Sequence, residues 1–495
     1  MPASDHSYDV AVIGAGPAGL AAAATAAHHG LAVVLLDEQA TPGGQIYRAI
    51  TTSPPARRRI VGEEYERGEA LVAALRASSS TYVPRAVVWS VTREPGDAQF
   101  YEIGISVGGA SSLIRARAVV VATGALERAS PFPGWTLPGV MTAGGAQSLL
   151  KSSALVPQGR TVLAGSGPLL YLLARQLAAA GVRIAALVDT TPQWRLLRAL
   201  RHAVPFVASD YFTSGLRLLK ASRAGVHVIR HAFALEAEGR DRVERLRLRT
   251  PQRTRTLACD NLLIHQGVVP NVNLALAIGC EHRWDDVQRC MRPQVDAWGA
   301  SSVDKVWIAG DGAGIAGAQA AQHGGALAAL GVAHALEAID DGLRDRLARP
   351  HRERLEAWTR PRRFLDVMFA PARAMRLPDD DTIVCRCEEV TARQVRDAVA
   401  QGCTGPNQVK AFVRCGMGRC QGRVCGPTVT EIIADARGVA PRSVGYFRMR
   451  FPTKPVTLGE LASMPRSDAS RRAVVRLDDA ALDMLDRSYT RGPSR

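Results

Sequence analysis

The stretch Tyr8–Glu38, reading YDVAVIGAGPAGLAAAATAAHHGLAVVLLDE, restricts the fold of this chain more than any other part of it. An apolar run, Val10–Ile13, ends in Gly14-Ala15-Gly16-Pro17-Ala18-Gly19. An alanine-rich helical run follows, broken at Gly30, and a second apolar run, Leu31–Leu36, leads into Asp37 and Glu38. Strand, glycine turn, helix, strand and acid each have a physical task in dinucleotide binding. Gly14 permits the tight turn, Gly16 lets backbone approach a pyrophosphate, and Gly19 lets the helix pack close to the strands. Pro17 and Ala18 open the helix, whose N-terminal N–H groups and partial positive charge favour phosphate. Asp37 stands where ribose hydroxyls would need an acceptor. The stretch predicts a site for FAD or NAD(P).

At 495 residues the chain has room for about three domains at roughly 150 residues each. Its formal net charge of +16 would suit a nucleic-acid or membrane surface. However, of 62 basic residues only Lys151, Lys220, Lys305, Lys410 and Lys454 are lysines, and the arginines are spread along the chain. With aromatic residues at only 5%, no nucleic-acid partner is expected. Nor is a membrane span, since no run of about 18 uninterrupted apolar residues exists. The first strand begins within ten residues of Met1, so no secretory leader is expected and a cytoplasmic location is, with peripheral attachment to the inner membrane face as a variant. Nine cysteines in such a chain point to reduced thiols or a metal site.

Taken in order, Gly43-Gly44-Gln45 forms a second glycine-rich loop suited to close backbone approach, with no redox cysteine pair near it. Residues 61–77 read as helical, and 81–121 as strands with a turn near Pro95-Gly96-Asp97. The buried run Val119–Val121 ends in Ala122-Thr123-Gly124, which predicts a further strand-to-turn contact with the dinucleotide. A Pro/Gly-rich crossover leads to TVLAGSGPLLYLLARQLAAAGVRIAALVD at 161–189, a second strand–turn–helix–strand unit. Gly165 and Gly167 match the first two glycines and Asp189 the acid, but Leu170 stands at the third glycine position and puts nicotinamide binding in doubt. His265 reads as a strand-end residue. Val306–Ile308 then runs into Gly310-Asp311 before a glycine/alanine helix, predicting a return strand that brings Asp311 to the cofactor. The expected organisation is a dinucleotide-binding domain from 1–150 plus 300–345, an inserted second unit at 151–299, a helical linker at 346–378, a cysteine module at 379–440 and a tail at 441–495.

In the module, Cys385-Arg386-Cys387 and Cys420-x4-Cys425 supply four thiolates in two pairs. This suits a [2Fe–2S] cluster better than zinc, whose paired cysteines usually have two to four residues between them, so that Cys385-Arg386-Cys387 fits it less well. Cys415 is a possible substitute ligand. Cys403 reads as core, and Cys259, Cys280 and Cys290 as inert. Glycines 416, 418, 422 and 426 would let N–H groups reach the sulfurs.

Together VIGAGPAGL (12–20), GGQIYR (43–48), ATGALER (122–128), PGVMTAGGAQ (138–147), AGDGAGIAGA (309–318), CRCEEV (385–390), GMGRCQGRVCG (416–426) and FPTKPVTLGELA (451–462) resemble the FAD-containing alpha-type subunits of bacterial opine oxidases, D-hydroxyproline dehydrogenases and the B subunit of hydrogen cyanide synthase. The resemblance spans essentially the whole chain. It implies an α/β flavoprotein with two Rossmann-like dinucleotide-binding domains and a C-terminal bacterioferritin-associated-ferredoxin-like [2Fe–2S] module. It further implies FAD held at Gly14, Gly16, Pro17, Ala18, Gly19, Asp37, Glu38, Gly44, Gln45, Thr123, Gly124, Gly310 and Asp311, and a cluster on Cys385, Cys387, Cys420 and Cys425. FMN, NAD(P) or ATP are secondary candidates, because relatives hold FMN at the subunit interface or ATP at a dinucleotide site. The implied partners are a glycine-oxidase-like flavoprotein subunit that oxidises an amino acid or opine, with a further candidate in a small ferredoxin-like subunit, and an external electron acceptor. No catalytic constellation for amine oxidation is legible in this chain. Two alternatives stand beside the electron-transfer role: a self-contained NAD(P)H-dependent flavin reductase with a ferredoxin-like tail, and a scaffolding protein without turnover.

Overall fold

The computed structural model describes residues 7–94, 97–223 and 226–464. Pro95, Gly96 and the tail from 465 onward lie outside the described residues. The apolar runs become the parallel centre of a seven-stranded sheet. Ser7–Ile13 pairs with Val33–Asp37 on one side and with Ala110–Val121 on the other. Val306–Ile308 returns beside Val119–Val121, although it lies almost two hundred residues later in sequence. Strands buried on both faces need no alternation, which is why these segments read as continuous aliphatic runs. The helix Pro17–His28 and the helix Ala318–Ala335 cover one face together, and their contact is built from small residues. A Cβ on Gly325 would lie 2.0 Å from the Ala18 carbonyl oxygen. Strands Val87–Glu94 and Asp97–Val107 extend the sheet antiparallel.

The second sheet is five-stranded and wholly parallel, in the order Val228–Arg230, Ile184–Asp189, Thr161–Gly165, Asn261–His265, Val140–Thr142. The crossover at 131–150, read from sequence as a link, therefore supplies an edge strand and the helix Ala143–Ser153 to this second unit. Its Pro and Gly content hid these elements. A three-stranded antiparallel layer, Ala234–Glu238, Arg245–Arg249 and Thr254–Ala258, closes the unit. The helical reading of 61–77 is interrupted at Gly62, whose φ of 110° ends the helix Pro55–Val61 before Gly68–Ala77 begins.

Between the second unit and the cysteine module runs the 28-residue helix Asp341–Met368, which contains Pro350 and Pro361. The module packs its own core around Val384, Val395, Val429, Ile432 and Phe447. It docks on the rest of the chain through polar contacts. Glu431, 5% exposed, is held by Arg289 and Arg376, the Trp135 indole donates to the Ile383 carbonyl at 2.7 Å, and Asn273 Nδ2 donates to the Gln421 carbonyl at 3.1 Å. A carboxylate this buried is tolerated because two guanidiniums satisfy it. The segment after the module returns to the first sheet, where Lys454 pairs with Glu38 at 2.6 Å and Thr453 N donates to Trp89 O at 2.9 Å.

Candidate dinucleotide site and iron–sulfur centre

Four strand ends of the first sheet bring the sequence-predicted residues together at one edge. Gly14, with φ of 105°, turns the chain out of the first strand, and a Cβ there would lie 2.6 Å from the Ala122 carbonyl oxygen. Gly19 sits tighter still, since its Cβ would meet Gly14 O at 1.8 Å. Gly16 differs: a Cβ would find only Gly44 Cα, at 3.9 Å. The two outer glycines are thus required by packing, and the middle one keeps space open beside the N-terminus of the helix Pro17–His28. Gly43 N donates to Ala15 O at 2.8 Å, so the Gly43–Gln45 loop is fastened across the turn.

Asp37 is 5% exposed. Its Oδ1 accepts from Gln39 N at 3.2 Å, while Oδ2 is buried with no partner among the described residues. A buried carboxylate oxygen without a donor is costly, and a ribose hydroxyl would satisfy it. Burial pushes this carboxyl up to about 6. Hydroxyls donate to the ionised form, so bound nucleotide lowers the pKa again and favours higher pH. Affinity for FAD is therefore expected to fall as pH drops from 7 through 6, and Asp37→Asn should bind more weakly at pH 8 and lose the dependence. Titration of apoprotein with FAD across this range checks both. The sign for folding is opposite. The native carboxyl keeps its proton up to about 6 and the unfolded one only to 3.8, so nucleotide-free protein loses stability as pH rises between these values.

Thr123 and Gly124 lie against Asn271, through Thr123 Oγ1 to Asn271 O at 3.3 Å and Asn271 N to Gly124 O at 2.9 Å. Gly310, with φ of 69°, precedes Asp311, whose Oδ1 accepts from Ala316 N and Gly317 N, each at 2.8 Å. Asp311 thus shapes the turn into the helix Ala318–Ala335, leaving Oδ2 unbonded among the described residues. Lys151, which sequence reasoning passed over, is 2% exposed and donates to the carbonyls of Gln45 and Ile46 at 3.2 and 2.9 Å. It ties the second unit to the Gly43–Gln45 loop, and burial pushes its amine down to about 7. Neither its helix nor this contact is legible in a segment that reads as a turn-rich link.

The second glycine turn is built otherwise. Asp189 has both oxygens engaged by its own chain, Oδ2 accepting from Tyr171 Oη at 2.6 Å and Oδ1 from Thr191 N at 2.8 Å. Leu170 is fully buried where a third glycine would stand. The His265 ring packs over Gly167, with Nε2 3.7 Å from where a Cβ would be. His265 ends its strand, as its sequence position suggests, but its Nδ1 also makes a 2.6 Å bond to Glu127, and Glu127 accepts from Gly144 N at 2.5 Å. This pair stitches the strand Ala125–Glu127 to the second sheet. No spacing in the sequence signals it, because the partners are 138 residues apart.

In the module, five thiols converge. The sulfurs of Cys387 and Cys420 lie 3.9 Å apart. Those of Cys385, Cys415 and Cys425 lie within 4.8 Å of one another, all three buried. Hydrogen bonds from the Cys415 and Cys425 thiols, joined by the N–H groups of Gly416 and Glu388, hold Cys385 down to about 2, the behaviour of a thiolate ready for a metal. The glycines have a second task besides presenting N–H groups. A Cβ on Gly418 would lie 2.1 Å from Cys387 Cβ, and Cβ atoms on Gly416 and Gly422 would strike the Phe447 ring at 2.7 and 2.6 Å. Cys403 lies in the module core, and Cys259, Cys280 and Cys290 are buried elsewhere.

Residues 8–325 match the family described as pyridine nucleotide-disulphide oxidoreductase, and residues 383–435 match the BFD-like [2Fe-2S] binding domain. Over 97% of both chains, the protein is 44% identical to the A subunit of opine oxidase from Agrobacterium tumefaciens. It belongs to the family of opine oxidase A subunits. Hydrogen cyanide synthase subunit HcnB of Pseudomonas aeruginosa is 32% identical over 90% of this chain and 96% of its own. In fold, the chain resembles L-proline dehydrogenase from P. horikoshii, with a TM-score of 0.68 over 92% of this chain and 79% of that one, at 20% identity. The two matched domain families imply FAD and a [2Fe–2S] cluster, and both suit the residues present: an unsatisfied buried acid beside an open glycine turn, and a group of closely spaced thiols.

Proposed function

We propose that this chain is the electron-accepting subunit of a heteromeric dehydrogenase or oxidase that acts on the C–N bond of an amino acid or opine. A glycine-oxidase-like flavoprotein subunit would carry the substrate site, and a small ferredoxin-like subunit is a further candidate member of the complex. FAD supplies acceptance of an electron pair with release one at a time, and the cluster supplies one-electron carriage. In this reading Gly14, Gly16, Pro17, Ala18 and Gly19 hold the pyrophosphate and Asp37 the ribose. Glu38, Gly44, Gln45, Thr123, Gly124, Gly310 and Asp311 frame the rest of the cofactor. Cys385, Cys387, Cys420 and Cys425 hold the cluster.

The observation that carries the relay is the docking of the cysteine loop on the dinucleotide edge. Gln421, next to Cys420, accepts from Asn273, and Asn271 two residues earlier is bonded to Gly124 and Thr123. On the far side, Lys454 pairs with Glu38, and Arg423 acts on the same carboxylate. The loop is thereby fixed between two walls of the same site, and short, rigid separation is what electron transfer between two centres needs. The names of these relatives, each one a subunit, support a partner. Among the described residues no helix is long and apolar enough to cross a membrane.

The self-contained reductase requires a working nicotinamide site. The self-satisfied Asp189, the buried Leu170 and the His265 ring over Gly167 speak against one. Under anaerobic conditions, NADH and NADPH are expected to leave the flavin of the purified chain oxidised. Rapid bleaching of the flavin band by either would favour the reductase.

A further inference from the structure

Arg128, at the end of the ATGALER stretch, is a buried cation that the dinucleotide site does not use. It is 6% exposed, and a guanidinium keeps its charge at any ordinary pH. Its Nη1 donates to the Arg289 carbonyl at 2.9 Å and its Nη2 to the Gln288 carbonyl at 2.6 Å, while Nε is buried with no partner among the described residues. These hydrogen bonds go to carbonyls alone, and among the described residues no carboxylate pairs with it. The carboxylate that acts on it, Glu431, is already held by Arg289 and Arg376. Asp286 reaches Arg289 only at 3.8 Å, from an exposed position. Arg195 also bonds only to carbonyls, those of Val367 and Pro371, and burial together with Arg376, Arg198 and Arg289 pushes it down to about 10. Buried charge of one sign is unfavourable unless opposite charge stands close by.

We propose that Arg128 is an electrostatic counter-ion of the [2Fe–2S] cluster and makes that cluster easier to reduce. The proposal rests on the assignment of the cluster to the cysteine module. Arg128 follows the strand Ala125–Glu127, which leads out of Thr123-Gly124 at the dinucleotide edge. Tyr446 links it to the module. A Cβ on Gly426, the residue after Cys425, would lie 2.2 Å from Tyr446 Oη. That hydroxyl is pushed up by burial and then by the thiols of Cys425 and Cys290, with Arg128 acting in the opposite sense. Cys290 in turn follows Gln288 and Arg289, whose carbonyls Arg128 binds. The cation thus stands on the dinucleotide side of the module, behind a hydroxyl that abuts the cysteine loop. Two ferric ions, two sulfides and four thiolates carry two negative charges, and one electron from the bound flavin makes three, with no bond formed or broken. A fixed cation favours the more negative state, and burial keeps water and salt from screening it. The surplus positive charge of the arginines and the negative charge of the cluster, each costly to bury alone, then offset one another.

The test uses the full-length chain with Arg128→Gln, Arg128→Lys and Glu431→Gln. The readouts are the cluster potential from an EPR-monitored redox titration and the flavin potential from absorbance of the same samples. In Arg128→Gln the ratio of reduced to oxidised cluster at a fixed potential is expected to fall about tenfold, a downward shift of about 59 mV for a one-electron couple. Arg128→Lys keeps the charge and stays close to wild type. Glu431→Gln removes a negative charge from the same surroundings and shifts the cluster the other way, toward easier reduction. Opposite signs mark an effect of charge, since loosened packing would move both glutamine variants in one direction. An unchanged cluster potential in Arg128→Gln, a lysine variant as low as the glutamine one, shifts of one sign in both glutamine variants, or a flavin shift larger than that of the cluster overturns the proposal. Should Arg128→Gln lose its cluster, the other two variants decide: wild-type potential in Arg128→Lys with an upward shift in Glu431→Gln supports the proposal, and any other result overturns it. Wild-type protein without iron would instead overturn the cluster assignment itself.

Discussion

Serine at Cys387 or Cys420 is expected to abolish the [2Fe–2S] signal of the full-length chain while leaving most of its flavin. Cys387 and Cys420 form the pair at one pole of the shell, and Cys385, Cys415 and Cys425 share the other. Among the described residues neither Cys387 nor Cys420 belongs to a group of three close thiols, whereas Cys385, Cys415 and Cys425 do. The effect should be all-or-none in iron content, because a cluster lacking one of its thiolates is open to hydrolysis. The second consequence is structural. Cys385, Cys415 and Cys425 belong to the apolar core of the module, together with Val384, Val429 and Ile433. Metal there ties two distant segments, the Cys385–Cys387 turn and the 415–425 loop, so its loss removes binding free energy that is also folding free energy. Removing iron with a chelator should therefore lower the unfolding temperature of the module and leave the seven-stranded and five-stranded sheets folded, a separation that limited proteolysis or calorimetry would show. Retention of iron in Cys420→Ser would contradict the ligand assignment.

Gly16→Leu should give a folded protein without flavin, whereas Gly19→Ala should give a poorly folded one. The contrast follows from what surrounds each glycine. A Cβ at Gly19 would overlap Gly14 O at 1.8 Å, so even one methyl forces the first helix away from its strand, at about 1–3 kcal/mol or more. At Gly16 a Cβ meets nothing closer than 3.9 Å, so the empty chain tolerates a side chain there. An isobutyl group then fills the approach to the helix N-terminus. Losing two charge-assisted hydrogen bonds to phosphate at about 1.5–3 kcal/mol each corresponds to at least about a hundredfold weaker binding. Far-UV circular dichroism together with the flavin absorbance of the purified variants separates the two cases. A Gly16→Leu protein with full flavin would place the pyrophosphate elsewhere.

Continuous aliphatic runs ending in glycine or acid made the first parallel sheet legible, since both ends of each strand are marked by residues with few other reasons to be there. Val306–Ile308 could be placed for the same reason, although its partner strand is far away in sequence. The crossover at 131–150 was harder to read. Its helix Ala143–Ser153 opens with Ala-Gly-Gly-Ala, where the glycine pair is a weak helix former on any propensity scale, and depends on the Thr142 cap and on tertiary packing. Contacts made by side chains between distant segments left no trace at all: Asp189 with Tyr171, His265 with Glu127, and Lys151 with the Gln45 carbonyl. The doubt raised by Leu170 pointed at the second turn, yet the stronger obstacle there is the acid already bonded within its own chain. Cysteine spacing located the module, but only the folded loop brings Cys415 level with Cys425.

Electron arrival at the cluster is the central claim, and EPR of the protein purified together with its partner subunits tests it most directly. After anaerobic addition of an amino-acid or opine substrate and rapid freezing, the complex is predicted to show the signal of a reduced [2Fe–2S] cluster. The same substrate should leave the isolated chain silent. Substrate that fully reduces the flavins of the complex while the cluster stays oxidised, or NADPH that reduces the cluster of the isolated chain, would contradict the relay.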